Sequence, residues 1–203
     1  MYTPKLNRKE NTEELHAFIR MNGFGILVST VAGKPWASHI PLLLSADGKK
    51  LSGHIARGNK QWKEWNTETE ILAIFSGPHT YISSSWYDHE NVPTWNYIAV
   101  HVYGQLKILS DQELLHSLKE LTDKYEKQSE RPVSVEKMNP DFVKKEMLGI
   151  VGFEIEITKI EATYKLSQNR DAKNHDAIVS QLEKSKDHNS TAIAHEMKKA
   201  GHS

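Results

Sequence analysis

Two cationic side chains follow a predicted strand, at the point where a loop begins. Arg57 and Lys60 lie three positions apart, with Gln61 beside them, directly after the strand predicted at 50–56. Paired cations and backbone N–H groups at the end of a strand are suited to binding a phosphate. The same residues also fit a solvated loop whose Trp62 packs into the core, and the residues taken alone favour this second interpretation.

A second stretch, residues 77–97, is rich in aromatic and hydroxyl side chains. Its rings could stack on a flat ring system, while the serines at 83–85 and Asn96 could donate or accept hydrogen bonds. An aromatic core cluster at a dimer interface or barrel seam explains the same composition equally well. The serines do not lie in a G-x-S-x-G pattern, so a hydrolase nucleophile is not supported. The aromatic residues of this stretch are Tyr81, Trp86, Tyr87, Trp95 and Tyr97.

A third polar stretch, residues 165–170, follows the last predicted strand and includes Ser167 and Gln168. On composition alone it is typical of a polar strand end.

The eleven histidines raise the question of a metal site. No H-E-x-x-H motif is present, since His195-Glu196 lacks the second histidine that would complete it. Four histidines on different predicted strands could converge inside a barrel, although scattered structural histidines are the simpler interpretation. These four are His39, His54, His79 and His101.

Composition excludes several classes of protein. The 203-residue chain has 26 basic and 26 acidic residues, a balance that does not favour sequence-independent binding of nucleic acid. It contains no cysteine, which excludes disulfides, thiolate catalysis and iron–sulfur clusters. G-x-G-x-x-G and Walker motifs are absent. With no run of about 20 apolar residues and a polar start, we expect a cytoplasmic protein without membrane contact.

The elements that must position these residues are many short strands and a few helices. Alternating apolar residues and two hairpin turns, at 32–35 and at Asp47-Gly48, predict an α+β protein built on an antiparallel barrel with flanking helices. The strands are predicted at 24–31, 36–45, 50–56, 71–75, 80–84, 95–108 and 151–157, and the helices at 11–22, 111–127, 141–148, 177–184 and 191–199.

Eight stretches of the chain form a combination that is specific to one family. They are residues 1–4, 56–62, 77–83, 86–87, 92–97, 100–104, 152–155 and 165–170. Together they resemble the PaiB family of FMN-binding negative transcriptional regulators, from residue 1 to about residue 182. The loop at 56–62 departs from that pattern, because the family has alanine and proline where Gly58 and Lys60 stand here. We therefore expect a more flexible loop with one added charge.

This resemblance implies an FMN-binding split β-barrel, a fold also seen in pyridoxamine-phosphate oxidases, that forms homodimers with FMN at the subunit interface. It implies that residues near Arg57 bind the phosphate, that the strand at 38–42 lies along the ring edge, and that the partner subunit contributes further contacts. It implies no catalytic side chain and no metal ligand. The cofactor-binding residues implied are Ser38, His39, Ile40, Pro41, His54, Arg57, Lys60, Gln61, Trp95, Asn96, Ser167 and Gln168.

We expect a split-barrel domain at 1–170 and a helical extension at 171–203. The resemblance implies a repressor of sporulation and degradative-enzyme genes. An FMN-dependent oxidoreductase using reduced nicotinamide or a small substrate, or a haem-degrading enzyme as among some relatives, is the alternative. A binding module without a cofactor is the third. No helix-turn-helix signature is evident, although the helices at 177–184 and 191–199 are candidates for contacting DNA.

Overall fold

The computed structural model describes residues 1–65 and 70–201, which form seven β-strands and five α-helices. The strands form one sheet in the order β2-β1-β5-β6-β7-β4-β3, and the recorded pairs are antiparallel. The strands are β1 (Phe24–Val31), β2 (Lys34–Pro41), β3 (Leu43–Leu44), β4 (Lys50–Ala56), β5 (Glu70–Ile82), β6 (Thr94–Ile108) and β7 (Ile150–Lys165). The helices are α1 (Thr12–Met21), α2 (Asp111–Glu126), α3 (Pro140–Met147), α4 (Ala172–Glu183) and α5 (His188–Ala200).

A single residue joins the two ends of this strand order. β2 ends at Pro41 and β3 begins at Leu43, while Leu42 between them donates its N–H to the Gly23 carbonyl at 2.7 Å. Because β2 and β3 are the terminal strands of the order, so short a link brings the two ends together, as in a barrel. The predicted antiparallel barrel with flanking helices is confirmed, although the strand predicted at 36–45 is broken at Leu42.

Both predicted hairpin turns form at residues with positive φ. Ala32 and Gly33 have φ of 51° and 73°, and Gly48 has φ of 73°. Two successive positive φ values are typical of the tight turn that matches the twist of paired strands. Ala32 adopts this conformation at a steric cost, and its N–H is held by both oxygens of Glu64 at 2.8 and 2.9 Å.

Strand β6 has the alternation that the sequence predicts. The residues on one face are buried, and those on the other face are half-buried or exposed. The buried face therefore contributes to the core from Asn96 to Leu106. It comprises Asn96, Ile98, Val100, Val102, Gly104 and Leu106.

Strand β5 is continuous, where the sequence predicted two strands at 71–75 and 80–84. Gly77-Pro78 favoured a break, because proline cannot donate a hydrogen bond to a neighbouring strand. The register between β1 and β5 covers Leu72–Ile74. Pro78 lies outside the residues of β5 that pair with β1, so its missing N–H removes no hydrogen bond between β1 and β5.

Helices α4 and α5 begin earlier than the sequence predicted, because each has an aspartate cap that the apolar pattern does not reveal. Asp171 accepts the backbone N–H of Asn174 at 3.0 Å, and Asp187 accepts that of Ser190 at 2.8 Å. The end of α5 at Gly201, with φ of 68°, agrees with the predicted stop.

The chain divides into two compact units, each built from separate segments of the sequence. The first contains Met1–Leu15, Phe75–His101 and the chain from Glu161 onward, and the second contains His16–Ile74 and Val102–Ile160. The predicted division at residue 170 stays a prediction. Within the described ranges, no helix is long and apolar enough to cross a membrane.

We predict that Gly104→Ala destabilises the protein, because a Cβ atom there would stand 2.2 Å from the Glu156 carbonyl oxygen. The backbone must move to relieve this clash, which should lower the free energy of unfolding by about 1–3 kcal/mol. Gly58→Ala is the control, since a Cβ atom at Gly58 would meet nothing within 4 Å. Urea unfolding, monitored by tryptophan fluorescence, measures the free energy of unfolding of both variants. Equal stabilities would contradict the close approach at Gly104.

Candidate functional site

Arg57 lies directly after β4, and the protein anchors its guanidinium. Nε donates to the Leu148 carbonyl at 2.7 Å, and Nη2 donates to the Ile150 carbonyl at 2.9 Å. The backbone N–H of Arg57 donates to the Gly149 carbonyl at 2.8 Å. These side-chain bonds use two of the five guanidinium N–H groups and fix its orientation, while Arg57 and Lys60 both remain exposed.

Trp62 closes the loop onto Arg57. Its indole N–H donates to the Arg57 carbonyl at 2.8 Å, and the guanidinium carbon lies 5.9 Å from the ring centroid. Trp62 is half-buried, so it does not pack wholly into the core as the solvated-loop interpretation predicts. The result is a loop whose first and last residues are joined.

Gln61 is wholly buried, and its side-chain amide makes three hydrogen bonds. Nε2 donates to the Leu27 carbonyl and to the Ser29 hydroxyl, both at 3.1 Å. Oε1 accepts the Ser38 hydroxyl proton at 2.6 Å. The structure therefore places Gln61 where it positions the loop against β1 and β2, and its amide does not face outward beside Arg57.

Ser38 and Gln61 were both predicted as site residues, and the structure places them in direct contact. Asn59, which sequence reasoning did not select, bonds to both. Asn59 donates its amide N–H to the Ser38 hydroxyl at 2.8 Å and accepts the Gln61 backbone N–H at 3.0 Å. An asparagine directly before a helical turn is a capping signal, so its role could have been inferred.

The remaining predicted residues of β2 and β4 alternate across their strands. His39 is exposed, Ile40 is buried and Pro41 is half-buried. His54 is half-buried on β4, opposite Gly152, and burial lowers its pKa below the ordinary value.

In the first unit, Asn96 and Ser167 face each other in the interior. The Asn96 amide nitrogen and the Ser167 hydroxyl are 3.0 Å apart, and the hydroxyl also lies 3.1 Å from the Asn96 amide oxygen. Ser167 adopts a positive φ of 59°. Gln168 accepts the Leu166 backbone N–H at 2.7 Å and donates to the Tyr164 carbonyl, so the turn is held by its own side chains.

Trp95, beside the buried Asn96, points the opposite way. It is 52% exposed and lies 6.2 Å from His79 and 6.0 Å from Tyr81, centroid to centroid. We call these three residues the aromatic group. Tyr87 is buried and is covered by the guanidinium of Arg170 at 5.0 Å, so the aromatic stretch contributes both to the core and to an exposed surface.

The loop that carries Tyr87 is fixed to α4 by Asp88. Its carboxylate pairs with Lys173 at 2.8 Å and accepts the Asn174 amide at 2.9 Å, and its backbone N–H donates to Asn174 at 3.1 Å. The hydrogen bond from Lys173, with those from His89 and Asn174, holds the pKa of Asp88 well below its usual range. Nothing in the sequence pattern identified this contact.

The histidines do not form a metal site in the part of the chain that the structure describes. No group of three or more histidine, cysteine, aspartate or glutamate side chains there could hold a metal ion.

Comparison with known proteins identifies related sequences and folds. A family model described as "Putative FMN-binding domain" matches residues 1–159. Protease synthase and sporulation protein PAI 2 of Bacillus subtilis (strain 168) is 43% identical over 196 residues, covering 96% of this chain and 95% of that protein. An uncharacterized protein of Emericella nidulans is 28% identical, covering 90% of each chain.

Two solved structures share the fold. The FAD and heme binding protein from Mycobacterium smegmatis has a TM-score of 0.60 at 15% identity, covering 84% of this chain and 79% of that one. Flavocytochrome Anf3 from Azotobacter vinelandii has a TM-score of 0.59 at 15% identity, covering 83% and 74%. At such identities the likeness describes the fold alone.

We predict that Gln61→Glu destabilises the protein by at least about 2 kcal/mol at pH 7, because a buried carboxylate cannot donate to Leu27 and Ser29. Burial raises the pKa of such a carboxyl group, so the deficit should shrink as pH falls towards the ordinary glutamate value. Gln105→Glu, at an exposed position of β6, is the matched control and should change stability by less than about 0.5 kcal/mol. Urea unfolding at pH 7 and pH 5 measures both, and similar values for the two variants would contradict the buried network.

Proposed function

We propose that this chain, which belongs to the FMN-binding domain family, is a homodimeric flavoprotein that acts as a negative regulator of transcription. The resemblance to PaiB proteins and the split-barrel fold are confirmed by the family match and the shared fold. The observation that supports the regulatory role is the 43% identity to PAI 2 along almost the whole of both chains. By that likeness, the regulated genes are those of sporulation and degradative enzymes.

The chemistry of the groups that follow β4 fits the phosphate of FMN. A phosphate monoester carries close to two negative charges, and arginine binds it with paired N–H groups. Arg57 is exposed and already oriented by the Leu148 and Ile150 carbonyls, and the exposed Lys60 adds a second cation. A guanidinium that is already oriented loses less conformational entropy on binding, which favours affinity.

The proposed position of the flavin ring is along β2, from Ser38 to Pro41. β2 is a terminal strand of the sheet order, and its recorded ladder is with β1. Backbone groups on its other edge could therefore bond the polar edge of the ring. Bound FMN supplies hydride or electron transfer, and the protein supplies the groups that hold and orient it.

The aromatic group supports the proposed homodimer. Exposed large aromatic side chains gathered on one surface are typical of protein–protein interfaces. Trp95 and Tyr81, 52% and 47% exposed, are the large apolar members of that surface. In this proposal Asn96 and Ser167 act from the interior, holding Trp95 outward, and their contact with the cofactor stays a prediction.

The regulatory role predicts that the flavin-loaded protein retards promoter fragments of sporulation and protease genes in gel-shift assays at low salt. Retardation should weaken steeply as salt increases, because phosphate contacts release counterions. A coding-region fragment of equal length is the control. No retardation of any promoter fragment, together with sustained oxidation of NADH or NADPH, would replace the regulator with an FMN-dependent oxidoreductase.

We predict that Lys60→Gln weakens FMN binding about tenfold, because a charge-assisted bond to the phosphate is lost. Riboflavin, which has the same ring without the phosphate, should bind the variant and the parent protein equally. Lys63→Gln is the matched control, since Lys63 is an exposed lysine of the same helical turn. Quenching of flavin fluorescence measures the affinities of the parent protein and both variants for FMN and for riboflavin. Equal losses for FMN and riboflavin, or an equal effect of Lys63→Gln, would remove Lys60 from the phosphate site.

A further inference from the structure

A cleft of about 780 Å³ lies between α2 and the beginning of β4. This is within the usual range of small-molecule sites. Lys50 at its rim is seven residues along the chain from Arg57, which is roughly 20 Å in an extended strand. The cleft is therefore separate from the groups assigned to the FMN phosphate.

The floor of the cleft is apolar, and its α2 side is acidic. Leu43, Leu44 and Leu109 contribute the aliphatic part of the lining. Two of the four carboxylates are already paired, Glu113 with Lys107 at 2.6 Å and Glu154 with Lys50 at 2.7 Å. Lys107 and the cap at Ser110 lower the pKa of Glu113 to about 2, as expected for a carboxylate with its partners in place.

The other two carboxylates, Glu120 and Asp123, have no lysine or arginine partner among residues 1–65 and 70–201. Glu120 lies 3.6 Å from His116, which is charged only when protonated, and no ion pair is recorded for Asp123. Three residues along a helix correspond to about 4.5 Å of rise and place both carboxylates on one face. The cleft therefore presents two uncompensated negative charges close together.

A hydroxyl group without a protein partner lies on the same side of the cleft. Ser117 is 7% exposed and lines the cleft. No described residue forms a hydrogen bond with its hydroxyl group. The hydroxyl is not one of the described buried polar atoms that lack a partner, so it is open to the cleft and can bond a ligand there.

We propose that this cleft binds a primary aliphatic ammonium compound. The ammonium group pairs with Glu120 and Asp123 and donates to the Ser117 hydroxyl, and the methylene chain lies on the leucine floor. A bare metal ion fits less well, because no group of three ligating side chains occurs among the described residues and leucines cannot ligate a metal. The inference does not depend on FMN or on DNA binding.

Isothermal titration of the purified full-length protein with hexylammonium tests the proposal, and hexan-1-ol and hexanoate are the controls. We expect millimolar binding of the amine, of the order of 1 mM, since so small a ligand offers few contacts. The affinity should fall when salt is raised from 0.05 to about 0.5 M, because the charges lie near the surface. Equal or tighter binding of hexan-1-ol or hexanoate, or no detectable heat with the amine, would overturn the proposal.

Two variants locate the site. Glu120→Gln combined with Asp123→Asn should weaken amine binding at least tenfold, whereas Glu130→Gln, an exposed carboxylate outside the cleft, should not. Ser117→Ala should weaken binding several-fold while leaving the melting temperature unchanged, because the hydroxyl it removes has no partner in the protein. Unchanged affinity in the double variant would overturn the assignment. A lower melting temperature for Ser117→Ala with unchanged affinity would assign Ser117 to the fold alone.

Discussion

The side-chain amide of Gln61 makes hydrogen bonds to β1 and β2 in a place that solvent does not reach. Inside a protein an amide is stable only when its donors and acceptor are all used, so this set of partners admits one orientation of the loop. The Ser38 hydroxyl and Asn59 complete the set. Lys60, the residue beside Gln61, is directed outward as a consequence, and the proposed phosphate site depends on this arrangement.

The same principle operates in the first unit at Asn96. Its amide is buried against the Ser167 hydroxyl, and its neighbour Trp95 is exposed as part of the aromatic group. In both units a buried amide stands next to an exposed side chain with a proposed function. A leucine at either position would fill the space but would not fix the local rotation of the chain, since apolar packing has no directional preference.

Alternation of apolar residues predicted the barrel strands, and the same alternation accounts for the burial of Asn96. Asn96 occupies the same face of β6 as Ile98 and Val100, so its burial follows from a period of two residues. Gln61 offers no such signal, because it lies in a short helical turn and its partners come from strands more than twenty residues away. The family resemblance implied that Gln61 is a site residue, and only tertiary packing could show that its amide points inward.

The balance of charge along the whole chain conceals local fields of opposite sign. Arg57 and Lys60 follow the end of β4, while Glu120 and Asp123 face the cleft, which lies near the beginning of β4. The length of β4, roughly 20 Å, exceeds the screening length of about 8 Å at physiological ionic strength. Charges at one site therefore have little direct effect on ligands at the other. Coupling between the two would pass through packed strands such as β4, whose residues Leu51 and Ile55 are buried in the core and resist displacement.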